Sequence, residues 1–206
     1  MKIVLATHNK DKCLEMMEIL SNLNIELLTL NDFPEIGEII EDGKTLKENA
    51  LIKARTVHNL TKLPSLADDT GLEVDFLEGA PGVFSARYAG ENCSYLDNVN
   101  KLLKDLENVT YENRKAKFRT VMAFIDDKME LIAEDFVQGI ITDVTKGIDG
   151  FGYDPVFYVP EMNKTYAEMS MKEKNQISHR GKALMKMQKL LSERLPKIFH
   201  QMEDLA

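Results

Sequence analysis

Lys2-Ile3-Val4-Leu5-Ala6-Thr7-His8-Asn9-Lys10-Asp11-Lys12 reads as a strand that runs through a polar knot into a helix. Ile3, Val4 and Leu5 make Lys2 to Thr7 a short buried strand, and Cys13, Met16, Met17 and Leu20 recur at helical spacing over residues 11–22. A different pattern fills the second half of the chain. Lys115 to Asp126 and Met129 to Thr142 alternate apolar and polar residues about Asp126-Asp127-Lys128, the mark of a long β-hairpin. Early strand–helix units followed by a late hairpin predict an α/β fold with a mixed sheet.

Between these anchors, Ile25 to Leu30 is a second strand candidate, and Asn31 to Gly43, with Pro, Gly and five acidic residues, is a surface loop. Thr45 and Glu48 form a capping-box pattern that opens a helix to about Leu60, with Leu46, Ala50, Ala54 and Val57 as its buried stripe. Ser65 to Leu77 reads as strand, acidic turn at Asp68, Asp69 and Gly71, then strand. Gly79 to Gly90 holds two loop signals. Leu96, Val99, Leu102, Leu103 and Leu106 give an amphipathic helix over Tyr95 to Leu106, and Ser170 with Glu173 caps a last helix running to about Leu195. No linker divides the chain, so residues 1–206 are expected to form a single domain.

With 206 residues, 44% of them hydrophobic and 29% charged, the chain holds enough apolar matter for a real core. The formal charge of -8, from 26 basic and 34 acidic residues, is the wrong balance for non-specific binding to nucleic acid or to an anionic membrane. Cys13 and Cys93 are too few for a disulfide framework or a structural zinc site. No apolar run has the length of a signal core or a membrane span, and a cytoplasmic location is expected.

Four segments carry candidate chemistry. Thr7 to Lys12 lies where a strand meets a helix. The dipole and the free N–H groups there favour an anion, and Thr7, Asn9, Lys10 and Lys12 add donors and charge. The plain structural alternative is that Asn9 or Asp11 caps the helix. In Ala67-Asp68-Asp69-Thr70-Gly71, adjacent carboxylates repel unless a cation lies between them, most naturally Mg²⁺, with Glu41 of the acidic loop as a further ligand. A simple Asp-rich turn is the alternative. Gly150-Phe151-Gly152-Tyr153-Asp154-Pro155 offers Phe151 between two glycines as a stacking platform, or else as the inward ring of a tight turn. Lys174, His179 and Arg180 fall in the first turns of the last helix, where residues 176, 179, 180 and 183 share a face, so His179 and Arg180 are expected to be half buried, with a structural role as the alternative. Cations, carboxylates and a stacking ring together suit a nucleoside polyphosphate with magnesium.

These motifs, with Glu48-Asn49-Ala50, Lys53-Ala54-Arg55, Pro81-Gly82 and Ser85-Ala86-Arg87-Tyr88, stand in the order of the inosine triphosphate pyrophosphatase family, which the chain resembles from Lys2 to about Leu191. The resemblance implies an elongated α/β fold, with a mixed central β-sheet, flanking helices and two lobes around a substrate cleft, and a homodimer. It implies Mg²⁺-dependent hydrolysis of ITP, dITP and XTP to the nucleoside monophosphate and pyrophosphate. Position by position, Thr7, His8, Asn9, Lys10, Asp11 and Lys12 would hold phosphate, aided by Lys53, and Glu41 and Asp69 the metal. Asp69 would activate water and Thr70 contact substrate. Phe151, Gly152, Tyr153 and Asp154 would line the base and sugar pocket, completed by Lys174, His179 and Arg180. The chain departs from relatives that carry Gly in place of His8 or Asp11.

Two other functions compete. A Maf-type pyrophosphatase also opens with a strand, a polar phosphate loop and a helix, but Phe151-Gly152-Tyr153-Asp154 and Ser178-His179-Arg180 speak against it. A nucleotide-sensing module without turnover would have little use for Asp68 and Asp69 beside phosphates.

Overall fold

The structure, a computed structural model, describes residues 1–21 and 23–194. The described residues form eight strands and five α-helices. In chain order these are β1 (Lys2–Leu5), α1 (Lys10–Leu20), β2 (Glu26–Thr29), α2 (Leu46–Thr61), β3 (Ser65–Val74), β4 (Pro81–Gly82), α3 (Tyr95–Asp105), β5 (Lys115–Ile125), β6 (Glu130–Ile141), β7 (Phe157–Val159), β8 (Lys164–Thr165), α4 (Met171–Ile177) and α5 (His179–Arg194). One mixed sheet runs β2-β1-β3-β5-β6-β7-β8, with β4 beside β3. β1 pairs in parallel with β2 and β3, and the β4, β7 and β8 pairings are antiparallel. The mixed α/β class expected from the sequence is therefore present.

Packing divides the chain into two compact units, one of Met1–Asp69, Val121–Asp135 and the chain from Gly181, the other of Thr70–Thr120 and Phe136–Arg180. The first has a core of Ile3, Leu5, Met16, Leu20, Leu66, Phe124 and Leu184. The second is built on Leu72, Val99, Leu102, Phe118, Phe157 and Tyr166. Each fully buried side chain of this size contributes about 1.5–3 kcal/mol relative to exposure.

Local signals held where their partners are near in the chain. Thr45 Oγ1 accepts the Glu48 N–H while the Glu48 carboxylate accepts that of Thr45, so α2 starts at its capping box. Leu46, Ala50, Ala54 and Val57 are buried along it. The hairpin turn closes through Asp126 N–H to Met129 C=O, 3.1 Å.

Two expectations fail. Asp68, Asp69 and Gly71 make no turn, because β3 runs unbroken from Ser65 to Val74. Successive strand side chains face opposite ways, so the two carboxylates are separated by the pleat and each meets its own lysine. The last helix is also two helices. Ser178 leaves the helical conformation at ψ 157° after its N–H bonds the Lys174 carbonyl, so α4 ends at Ile177 and α5 starts at His179. Residue 176 therefore shares no helical face with 179, 180 and 183. The expected ends of the first helix at residue 22 and of the last near Leu195 lie outside the described residues.

Candidate active site

In the first unit, β1 delivers the polar knot to the start of α1. Asn9 caps the helix: its Oδ1 accepts the N–H groups of Asp11 (3.0 Å) and Lys12 (3.1 Å), while Thr7 Oγ1 accepts the Asn9 N–H. Two donors of the first turn are thus spent on the cap. His8 pairs with the Gly37 carbonyl at 3.1 Å and Lys10 is exposed. Thr7, His8 and Lys10 also border a mostly apolar cavity of about 260 Å³, whose other walls include Leu14 and Met17. Lys12 turns the other way. Its Nζ lies 3.2 Å from Oδ2 of the fully buried Asp68.

Lys53 stands on α2 at the spacing of Leu46, Ala50, Ala54 and Val57, so the helix carries its ammonium inward and leaves it 5% exposed. Nζ donates to Glu41 Oε2 at 2.8 Å and to Asp69 Oδ1 at 3.0 Å. Burial alone would push the ammonium down, but the Asp69, Asp68 and Glu41 carboxylates outweigh it and hold its pKa above the ordinary value. Asp69 is raised, chiefly by burial and against the pull of Lys53 and Lys12. Its Oδ2 is buried with no hydrogen-bond partner among the described residues, a costly state for a carboxylate oxygen.

That geometry suits a hard divalent cation. Glu41 and Asp69 already converge on one positive charge, and Asp69 keeps an unsatisfied oxygen. Among the described residues no group of three or more His, Cys, Asp or Glu is gathered for a metal. Mg²⁺ needs none, since one or two carboxylates, waters and substrate phosphates usually hold it.

In the second unit, Thr70 Oγ1 lies 2.7 Å from Thr120 Oγ1 and accepts from Arg180 Nη2 at 3.3 Å. Asp154 organises the aromatic loop: its Oδ2 accepts the Phe151 N–H (2.8 Å) and the Lys174 ammonium (2.5 Å). Gly150, at φ +74°, sits so close that a Cβ there would meet this carboxylate at 2.2 Å, which explains the glycine. Lys174 Nζ lies 4.7 Å from the centre of the Phe151 ring, the Arg180 guanidinium 5.6 Å and the Tyr95 ring 5.9 Å. Phe151 is thus held among two cations and a tyrosine.

Tyr153 is buried among the core residues of this unit, and its hydroxyl donates to the buried Ser85 carbonyl at 2.9 Å. Gly152, at φ +62°, supplies the backbone bend before it. His179 and Arg180 are fully buried, not half buried, and the His179 ring stacks on Phe118 at 4.5 Å. Sequence reasoning missed Thr120, Tyr95 and Phe118. Only Thr120 carried a signal, a hydroxyl within an apolar strand face.

The mixed α/β sheet carries a capped helix start, a carboxylate pair bridged by lysine and an aromatic loop flanked by two cations. Residues 3–190 match the model of the Ham1 family, and the chain belongs to it. It is 48% identical over 195 residues to the dITP/XTP pyrophosphatase of Thermoanaerobacter pseudethanolicus, covering 95% of this chain and 98% of that one. The dITP/XTP pyrophosphatase of Geobacter sulfurreducens is 50% identical over 185 residues, with 89% and 92% covered. Among solved structures, a HAM1 protein from Coxiella burnetii superposes with a TM-score of 0.85 at 43% identity, covering 94% of this chain and 99% of that one. The Staphylococcus aureus Ham1 protein gives 0.84 at 37%, with 94% and 100% covered.

Proposed function

We propose that the chain is a Mg²⁺-dependent nucleoside triphosphate pyrophosphatase, one catalytic domain that hydrolyses dITP, ITP and XTP to the monophosphate and pyrophosphate and so clears them from the nucleotide pool. The observation that carries this reading is the Glu41–Lys53–Asp69 cluster, with its orphaned buried Asp69 oxygen, in a chain about half identical to relatives named for that activity. A cytoplasmic homodimer belongs to the same proposal.

Glu41 and Asp69 would hold the metal, which would supply charge neutralisation and polarise a phosphoryl oxygen. Asp69 takes the proton of the attacking water as the new P–O bond forms and the bond to pyrophosphate breaks. Lys53 holds the two carboxylates adjacent through its hydrogen bonds to both. Lys12 and the start of α1 offset phosphate charge. Arg180 and Lys174 can only donate, so they suit the 6-oxo group of hypoxanthine or xanthine and leave the 6-amino group of adenine unmet. Phe151 adds stacking for any purine.

The test measures pyrophosphate and orthophosphate over a panel of nucleoside triphosphates, with and without Mg²⁺. Pyrophosphate from ITP, dITP and XTP, weak cleavage of GTP, little of ATP, and loss of activity in Asp69→Asn support the reading. Binding without turnover makes the protein a nucleotide sensor instead, and full activity in Asp69→Asn removes that carboxylate from the chemistry.

A further inference from the structure

Tyr95 opens α3, and its spacing to Val99, Leu102 and Leu106 puts it on the face that those three bury in the core of the second unit. The helix start is fixed. Ser94 Oγ accepts the Asp97 N–H at 3.2 Å, and the Asp97 carboxylate accepts the Ser94 N–H at 2.8 Å and the Ser94 hydroxyl at 2.7 Å. An anchored helix therefore carries the Tyr95 ring. Although it continues a buried stripe, Tyr95 is 44% exposed, and its ring meets Phe151 at 5.9 Å between centroids, with the planes tilted by 41°. A tilted pair at this distance attracts beyond the area it buries.

Phe151 has use for such a support. It stands between Gly150 and Gly152, residues that restrict a backbone least. The Lys174 ammonium and the Arg180 guanidinium lie 4.7 Å and 5.6 Å from its ring centre, but the proposed function gives both cations a second task as donors to the base. Once a purine oxygen accepts from them, their attraction to the ring is shared with it. The contact between Tyr95 and Phe151 is ring to ring, and no acceptor on the purine competes for it.

We propose that Tyr95 is a positioning residue for the purine base, bracing the Phe151 ring in the orientation in which it stacks. This rests on the pyrophosphatase reading, in which Phe151 stacks on the base. Tyr95 acts through Phe151, and by its ring rather than its hydroxyl.

The experiment titrates IMP and inorganic triphosphate, each with Mg²⁺, into wild type, Tyr95→Phe, Tyr95→Ala, Phe151→Ala and the double variant Tyr95→Ala/Phe151→Ala, with pyrophosphate release from ITP measured alongside. Tyr95→Ala should weaken IMP binding about fivefold, the scale of one aromatic pair, and raise KM for ITP by a similar factor, while inorganic triphosphate binds within about twofold of wild type. Tyr95→Phe keeps the ring and should bind IMP within about twofold of wild type. In the Phe151→Ala background, Tyr95→Ala should add nothing. Wild-type IMP affinity in Tyr95→Ala, equal weakening of IMP and triphosphate, equal losses in the alanine and phenylalanine variants, or additive losses in the double variant would each overturn the proposal while leaving the pyrophosphatase intact. A wild-type protein that binds IMP but releases no pyrophosphate from ITP overturns the pyrophosphatase reading alone, since the IMP titrations still decide the part of Tyr95. One that neither binds IMP nor releases pyrophosphate overturns both.

Discussion

Lys53 Nζ lies 3.0 Å from Asp69 Oδ1, while the other oxygen of that carboxylate is buried and has no hydrogen-bond partner among the described residues. The lysine is therefore a resident counter-ion for Asp69 and Glu41, and removing it leaves a buried carboxylate uncompensated. Lys53→Ala should lose about 3 kcal/mol of stability, the scale for breaking a buried ion pair from one side. Added Mg²⁺ should raise the melting temperature of this variant more than that of wild type, because a divalent cation takes over the charge. Thermal melts with and without Mg²⁺ decide it, and an unchanged melting temperature in Lys53→Ala would deny the pairing.

Lys12 faces Asp68 in the same way, at 3.2 Å from a carboxylate with no exposed surface. Lys12→Ala should destabilise the fold and also weaken ITP binding more than IMP binding, since the ammonium offsets charge that the monophosphate mostly lacks. Calorimetric titration with both nucleotides separates the effects. Equal loss for ITP and IMP would confine Lys12 to a structural part.

Under the proposed function Arg180, whose guanidinium carries five N–H donors against the three of the Lys174 ammonium, should take the larger share of base discrimination. Arg180→Ala should narrow the ratio of kcat/KM for ITP over ATP by at least about tenfold, within the range that sites built on hydrogen bonds can command. Parallel rates for ITP, GTP and ATP in both enzymes measure it. An unchanged ratio would move recognition of the 6-position elsewhere.

Glu173 reports on the helix that carries Lys174. The Ser170 N–H, the Ser170 hydroxyl and Lys164 lower its pKa from 4.5 to about 2. A lowered folded-state value means that the contribution of this cap is complete above about pH 4.5 and is lost as pH falls through about 2. The stability gap between wild type and Glu173→Gln should hold steady from neutral pH to about 4.5 and close below it. An NMR titration of Glu173 with its midpoint at the ordinary carboxylate value would mean that the cap does not form in solution.

Elements whose partners lie within a few residues were legible in the chain. The capping boxes at Thr45 and Ser170 and the Asp126–Met129 turn depend on bonds across three or four residues, and the mixed sheet followed from strand–helix alternation and the hairpin. The motif residues of the candidate site were legible too, as residue types. Their arrangement was not. Asp68-Asp69-Thr70-Gly71 has the composition of a turn, and it extends as a strand because lysines from α1 and α2 neutralise its carboxylates on opposite faces. Helical spacing did contain the inward position of Lys53, but a lysine on an apolar stripe looks misplaced until Glu41 and Asp69 are seen to meet it. The break at Ser178, the burial of His179 against Phe118 and the Thr70–Thr120 bond, which spans 50 residues, left no local pattern. Periodicity and caps encode bonds made inside one element. Whether a buried charge or hydroxyl is tolerated depends on the group that satisfies it, and folding brought those groups in from distant segments.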